Sequence, residues 1–116
     1  MKYAKAKIPI RYQDSISMQD GYVFEVMFSD CITTLEIGVY RAKHDQWRVT
    51  CMHTGYLICY ASTRKTAVKT FMERYLSKYE RYVFSNERHG LSHKNWFEQK
   101  SDELKELISD YERGIA

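Results

Sequence analysis

The 116-residue sequence contains no apolar run near the roughly 20 residues needed to span a bilayer. Its first 12 residues, MKYAKAKIPIRY, also lack the continuous apolar stretch of a secretory signal peptide. We therefore expect a cytoplasmic protein without membrane association. Glycine is scarce as well, and its five scattered positions form neither a G-x-G-x-x-G nor a Walker phosphate loop.

Cysteine is equally sparse, because Cys31, Cys51 and Cys59 are the only three and cannot all pair. A two-residue turn at Thr54-Gly55 would leave Cys51 and Cys59 on opposite faces of a hairpin, where they cannot form a disulfide. We therefore predict three free thiols, which agrees with a cytosolic protein.

The composition is that of one folded domain covering residues 1–116. Hydrophobic residues make up 44% of the chain and aromatic residues 15%, ten of them Tyr, which is enough for a single core. The net charge is only +3, but residues 14–40 carry five acidic and no basic side chains, whereas residues 41–81 carry nine basic and three acidic ones. This segregation suits a partner of mixed charge better than it suits a strongly basic nucleic-acid binder.

Alternating apolar and polar residues predict an antiparallel meander of about four strands. The predicted strands are residues 22–28, 32–41, 47–51 and 56–60. Asp20-Gly21 is interpreted as a turn before the first strand, and residues 7–12 as an edge piece or a non-strand segment because they contain Pro9.

The Thr54-Gly55 turn sets the predicted register of the last hairpin. If the turn holds two residues, Cys51 lies beside Ile58 and Val49 beside Tyr60 on one continuous apolar face. The opposite, outer face would then be available to a partner, provided that the second helix does not cover it. The predicted contact residues on this face are Tyr40, Arg48, Met52 and Leu57.

The first predicted helix begins after Thr63, whose hydroxyl can accept a hydrogen bond from an orphan amide of the first turn. Phe71 occupies the middle of an apolar arc that should pack on the sheet. The arc comprises Val68, Phe71, Met72, Tyr75, Leu76 and Tyr79. Tyr82 lies at the edge of the arc and is a predicted protein-contact residue, and the helix is predicted to end near Ser85-Asn86.

The second predicted helix runs from about residue 93 to residue 113, with Ser92 as its cap and Gly114 at its end. Its apolar stripe is thinner and comprises Phe97, Leu104, Ile108 and Tyr111. The predicted fold is therefore α+β, an antiparallel meander with one helix packed across it and a second helix near the C-terminus.

Few residues suggest chemistry. His89 and His93 have the spacing of helical metal ligands, but Gly90 lies between them and no third ligand is near. Cys51 with His53 lacks a third orienting group, and a solvated sheet face accounts for the Glu25 and Glu36 pair better than acid/base chemistry does. We expect no metal, no cofactor and no catalytic activity.

Basic residues on the first helix and the outer sheet face form an alternative nucleic-acid surface. The candidate phosphate contacts are Arg48, Arg64, Lys65, Lys69, Arg74, Lys78 and Arg81. Glu73 and Glu80 interrupt this set, and an ordinary solvated helix face is the competing interpretation.

Three short motifs resemble known small proteins: W-x-V at residues 47–49, T-G-Y at residues 54–56 and T-R-K-x-A at residues 63–67. Three strands followed by a helix with these motifs resemble the N-terminal DNA-binding domains of tyrosine integrases, which read DNA with the sheet. The same pieces resemble short accessory proteins of phages and plasmids, including anti-CRISPR proteins. The resemblance covers residues 37–82.

The accessory-protein resemblance implies a non-enzymatic inhibitor that binds a host protein or nucleoprotein complex such as a Cas effector. Inhibitors of this kind use acidic side chains to occupy a cationic nucleic-acid channel, a role that Glu98, Asp102 and Glu106 of the second helix would fill here. The integrase resemblance implies a small DNA-binding protein. The acidic second helix disagrees with it, because carboxylates repel a duplex.

Overall fold

The computed structural model describes residues 2–13, 15–84 and 93–114. These residues form a five-stranded antiparallel sheet of order β1-β2-β3-β4-β5 with helices packed on it, which confirms the predicted α+β fold. The strands are β1 (Ala4–Tyr12), β2 (Ser15–Met27), β3 (Thr34–Ala42), β4 (Gln46–Cys51) and β5 (Leu57–Ala61), with a 3-10 turn at Lys43–Asp45. The helices are α1 (Arg64–Thr70), a π-helical segment (Phe71–Tyr75), α2 (Leu76–Phe84) and α3 (His93–Glu112).

The fifth strand, β1, arises from the segment that contains Pro9. Pro9 pairs with Met18 of β2, and the missing amide is tolerated because β1 lies at the edge of the sheet. The interpretation of Asp20-Gly21 as a turn is wrong, since both residues lie inside β2, where Gly21 pairs with Ala6. β2 is thus one long strand that pairs with β1 along its first part and with β3 along its second.

The first part of β2 and β1 fold back over the outer face of the sheet, the face opposite α1. A Cβ atom on Gly38 of β3 would lie 2.9 Å from two side-chain carbons of Ile8, and a Cβ on Gly21 would lie 2.6 Å from the Val39 carbonyl oxygen. Ile8 is fully buried, so the two glycines allow the hairpin and the sheet to approach closely. The outer face of the sheet is therefore covered by a second layer, the β1–β2 hairpin.

The predicted register of the last hairpin is wrong. Val49 pairs with Cys59 instead of Tyr60, because the Cys51 amide donates to the Tyr56 carbonyl and a bulge follows in the ladder. The loop thus holds the four residues 52–55, so Cys59 faces the core and Tyr60 is 60% exposed. Cys51 and Cys59 share a face, yet both remain free and buried, while free Cys31 is exposed.

α1 begins as predicted, because the Thr63 hydroxyl accepts a hydrogen bond of 3.1 Å from the Thr66 amide. α1, the π-helical segment and α2 follow one another without a break and bury Val68, Phe71 and Tyr79. Met72, predicted within the apolar arc, is 37% exposed because the wider π turn departs from the 3.6-residue repeat. The predicted helix end near Ser85-Asn86 and the Ser92 cap lie outside the described residues.

The core lies between the sheet and the α1–α2 helix. Phe71 is fully buried there, in one cluster with Val49 and Cys51, and its ring centroid lies 6.3 Å from that of Phe24. The central position predicted for Phe71 is confirmed. Tyr60, predicted on the apolar sheet face, does not lie there, because the shifted register turns its ring to the other face.

α3 packs on α2 and β2 and covers the loop between β4 and β5. Leu104 is 2% exposed, and its Cδ1 lies 3.1 Å from the Cβ position of Gly55. Tyr111 is 42% exposed and lies at the margin of the predicted stripe. The helix ends as predicted at Gly114, whose φ is +75° and whose amide donates to the Tyr111 carbonyl.

Candidate functional site

The outer sheet face does not form the contact surface that the sequence predicts. Tyr40 is only 3% exposed beneath the β1–β2 hairpin, and burial raises the pKa of its hydroxyl. The prediction of Tyr40 as a surface contact is therefore corrected. Arg48 and Met52 are half-buried, and Arg48 Nε donates to Gln46 Oε1 at 2.8 Å. Leu57 is 47% exposed and remains available to a partner.

Tyr82 belongs to an aromatic cluster between α2 and α3. Its ring centroid lies 5.3 Å from that of Tyr79 and 5.4 Å from that of Trp96, while Lys78 Nζ lies 5.7 Å from the Tyr82 ring. Trp96 in turn stacks on Tyr56 with an interplanar angle of 18°. Tyr82 thus joins the two helices to the start of β5 and is half-buried.

Arg11 fixes α3 to the rest of the molecule, a role that the sequence does not reveal. Its side chain is 2% exposed, and Nη2 contacts Glu103 Oε1 at 2.9 Å. Nη1 donates to the carbonyls of Thr54 and Lys100, and the guanidinium lies 4.8 Å from the centroid of the Tyr56 ring. β1, the β4–β5 loop and α3 therefore meet at one cation.

The partner of this cation is held in its charged form. Lys100 Nζ and Arg11 both hydrogen-bond to the Glu103 carboxylate, and these bonds hold the pKa of Glu103 below its usual value. The pairing occupies the side of α3 that faces the protein. The opposite side of the helix is left to solvent.

That solvent side carries an acidic stripe, defined here as Glu98, Asp102 and Glu106. The three residues are four apart, so they lie on one side of the helix about 6 Å apart along its axis. All three are exposed. Lys105 approaches Asp102 only to 4.0 Å, an exposed pair that neutralises little. The structure thus places these three predicted residues together.

The exposed basic residues of α1 and α2, together with Arg74 between them, form a second charged surface. It is called the basic helix face. Its members are Arg64, Lys65, Lys69, Arg74, Lys78 and Arg81, all of them exposed. Arg48, predicted to belong to the same surface, lies on the opposite face of the sheet. Glu80 is engaged elsewhere, since it accepts a hydrogen bond of 3.0 Å from the Ser29 amide.

Arg64 differs from the other members of the basic helix face. Its guanidinium lies 4.7 Å from the centroid of the Tyr3 ring, 5.5 Å from that of Tyr22 and 6.0 Å from that of Trp47. These cation–π contacts hold the charge against the protein. Arg64 is therefore a fixed charge at the start of α1.

The residues considered for chemistry do not form a reactive centre. Burial raises the pKa of the Cys51 thiol, the opposite of what a nucleophile needs. Burial also lowers the pKa of His53, whose Nε2 accepts a hydrogen bond of 3.4 Å from the Glu36 amide. Glu25 and Glu36 are direct cross-strand neighbours, and both are exposed.

Metal ligands are not assembled in the part of the chain that the structure describes. No group of three or more His, Cys, Asp or Glu side chains is arranged there to hold an ion. His89 and the side chain of His93 lie outside that part. Over the same residues, no helix has the length and apolar character needed to cross a membrane.

No protein-family model, curated protein or solved structure matches this chain.

Proposed function

We propose that this chain is a non-enzymatic binding protein of the cytoplasm that inhibits a nucleic-acid-directed defence enzyme by direct contact, as an anti-CRISPR protein does. The observation that carries the proposal is the acidic stripe on α3. A row of carboxylates complements a cationic channel built for phosphates, so the stripe competes with nucleic acid for that channel.

The way α3 is attached supports this proposal. Leu104 packs against the β4–β5 loop, Glu103 pairs with Arg11, and Trp96 stacks on Tyr56. These contacts hold the helix at two places, because Trp96 lies about two turns before Glu103 and Leu104. The stripe is thus carried on an anchored element, and a charged surface that is already ordered loses less entropy when it binds.

The test is recovery of a nucleoprotein enzyme by the tagged protein from lysate of the host, followed by gel filtration and by a nucleic-acid cleavage assay. We expect a stable complex and loss of cleavage. The stripe variant Glu98→Lys/Asp102→Lys/Glu106→Lys should lose both, because it presents like charges to the channel.

The control variant reverses three exposed carboxylates outside the stripe: Glu25→Lys/Glu73→Lys/Glu112→Lys. It changes the net charge by the same amount and should still inhibit. Equal loss in the two variants would show that only total charge matters. Recovery of no protein partner, together with DNA binding by the purified protein, would contradict the proposal.

The second candidate function is sequence-tolerant DNA binding through the basic helix face, and the observation favouring it is the exposure of all six basic residues. Reading DNA with the sheet, as the integrase resemblance implies, lacks support because the hairpin and the helix cover the two sheet faces. Binding would rest on phosphate contacts from the helix alone.

Mobility shifts at increasing salt distinguish this candidate. If the helix makes several phosphate contacts, its affinity for DNA should fall steeply as salt rises. Binding of DNA should be detectable at about 50 mM salt. The double variant Lys69→Ala/Arg74→Ala should reduce the slope of log affinity against log salt by the amount expected for the loss of up to two phosphate contacts. Absence of any shift at that low salt excludes the second candidate.

A further inference from the structure

The last strand of the sheet has an open edge. β5 pairs with β4 on one side, and over the described residues no hydrogen bond joins its outward backbone groups to another segment. Leu57 is 47% and Tyr60 60% exposed beside this edge. Unpaired amides and carbonyls in a row form a template for an added strand.

A groove of about 330 Å³ lies next to the start of this edge. Leu57 and Ile58 form its strand side, Tyr75, Lys78 and Tyr82 its helix side, and Trp96 adds a wall from α3. Such a groove suits a side chain of a strand paired to β5, because alternate side chains of an added strand point toward one face of the sheet.

The helix flank above the groove is basic. Lys78 lines the groove itself, and Arg74 lies about one helical turn before it. Arg74 and Lys78 are exposed. Glu80, by contrast, turns to the opposite flank, where it bonds to Ser29. The charge bordering the open edge is therefore positive.

We propose that an extended acidic segment of a partner protein binds here as a sixth strand on β5. Its backbone pairs with the open edge, an apolar side chain enters the groove, and its carboxylates contact Lys78 and Arg74. Main-chain hydrogen bonds supply affinity in this mode, while the groove and the charges select the sequence.

A second copy of the chain does not suit the same edge. Pairing of two β5 strands about a two-fold axis would bring each basic flank toward its own copy. Arg74 and Lys78 of one molecule would then approach the same cations of the other. Like charges brought together in an interface disfavour that pairing, whereas an acidic segment neutralises the flank.

Single-stranded nucleic acid also suits the groove less well than a peptide. Binding of bases requires aromatic rings with a free face. Here Tyr56 has Arg11 at 4.8 Å and the Trp96 ring stacked at 6.0 Å, and Tyr82 is packed by Tyr79 and Trp96. The unpaired groups at this site are the outward backbone amides and carbonyls of β5, and the backbone of a peptide can form hydrogen bonds with them.

The test uses the full-length protein and a phage-displayed library of random nine-residue peptides. We expect the enriched peptides to combine acidic residues with an apolar residue. The best one, made synthetically, should slow hydrogen exchange of β5 amides. Its affinity should fall at least tenfold for Arg74→Glu/Lys78→Glu and change less than twofold for Lys65→Glu/Lys69→Glu on the same helix.

Methylation of alternate backbone nitrogens in the peptide tests the pairing without altering the protein. A loss of at least tenfold in affinity in one of the two possible alternations supports strand addition. The proposal is overturned if no enriched peptide depends on Arg74 and Lys78, if neither methylated peptide binds more weakly, or if a dT12 oligonucleotide protects the same β5 amides.

The inference rests on the proposed function in one respect, that the partner is a protein. The two fail separately. Inhibition of a nuclease without peptide binding at β5 would refute only the strand addition, and peptide binding without any effect on a nucleic-acid enzyme would refute only the inhibitory function.

Discussion

At the residue scale, Arg11 connects segments that are far apart in the chain. Its hydrogen bond to the Lys100 carbonyl spans 89 residues and its ion pair with Glu103 spans 92. A charge that is 2% exposed is tolerated only where partners replace its hydration. Carbonyls, a carboxylate and the Tyr56 ring together do so.

Replacing Arg11 with Met should therefore destabilise the protein by about 2 to 4 kcal/mol, less than for a fully buried pair because Glu103 retains some solvent. Lys7→Met is the control on the same strand. Lys7 forms an exposed ion pair with Asp20, so its loss should leave the unfolding midpoint nearly unchanged. Chemical unfolding measures the stability of both variants. Equal midpoints would contradict the inference that Arg11 fixes α3 to the rest of the molecule.

His53 should make stability depend on pH in a defined window. Burial lowers its pKa in the folded state from the ordinary value of 6.5, although Glu36 opposes the shift and Lys105 adds to it. The unfolded chain therefore binds the proton first, and the stabilisation present above pH 6.5 is lost as pH falls toward the folded-state pKa.

Thermal unfolding between pH 7 and pH 5 checks this effect, because most carboxylates titrate below that interval. His53→Asn should show a flatter pH dependence than the wild type over this range. His44→Asn, at an exposed site with φ of +62°, should keep the wild-type slope. The same slope in both variants would assign the pH dependence to other groups.

At the element scale, the helix from α1 to α2 contains the largest fully buried side chain of the described residues, that of Phe71. Phe71 is fully buried where the π-helical segment begins, so Phe71→Ala should cost about 3 to 5 kcal/mol through the cavity it leaves. Arg74→Ala, on the exposed side, should change stability by less than about 0.5 kcal/mol. Thermal unfolding compares the two variants. Similar midpoints would mean that the buried side of the α1–α2 helix is wrongly assigned.

Strand β2 depends on a missing side chain. A Cβ at Gly21 would lie 2.6 Å from the Val39 carbonyl oxygen, a backbone atom that cannot move aside alone. Gly21→Ala should therefore destabilise by about 1 to 3 kcal/mol, whereas Ser17→Ala, exposed on the same strand, should be neutral. Urea unfolding decides this, and a neutral Gly21→Ala would show that the hairpin packs more loosely.

The elements that were predicted correctly are those with local causes. Thr63 caps α1 through its own hydroxyl, and Gly114 ends α3 through its positive φ. The wrong predictions also came from local motifs, but tertiary packing overrode them. Thr54-Gly55 is part of a four-residue loop that Leu104 packs against, and Gly21 serves close contact between layers instead of a turn.

At the scale of the whole molecule, the outer sheet face could not be assigned from sequence. Alternation tells which residues share a face but not what covers it, and β1 reaches Gly38 only after the long strand β2 folds back. Alternation therefore predicts Tyr40 as exposed, although it is buried. The acidic stripe depends only on helical spacing, which the sequence reveals, and the contact role of its three residues stays a prediction.

Hydrogen exchange of backbone amides should differ between the central strand β3 and the edge strand β5. β3 lies between two strands, while β5 has a partner on one side only. Outward amides of β5 should exchange orders of magnitude faster than the β3 amides that pair with β2 and β4. Hydrogen exchange followed by NMR measures this, and slow exchange throughout β5 would show that its edge is closed.

The ion pair between Arg11 and Glu103 also has a consequence for synthesis on the ribosome. Arg11 is made 92 residues before its carboxylate partner, so the cation leaves the ribosome before that partner does. Until then the first hairpin cannot bury its cation without loss of hydration. The N-terminal layer should therefore complete its packing last, and a nascent chain stalled before α3 should remain a substrate for chaperones.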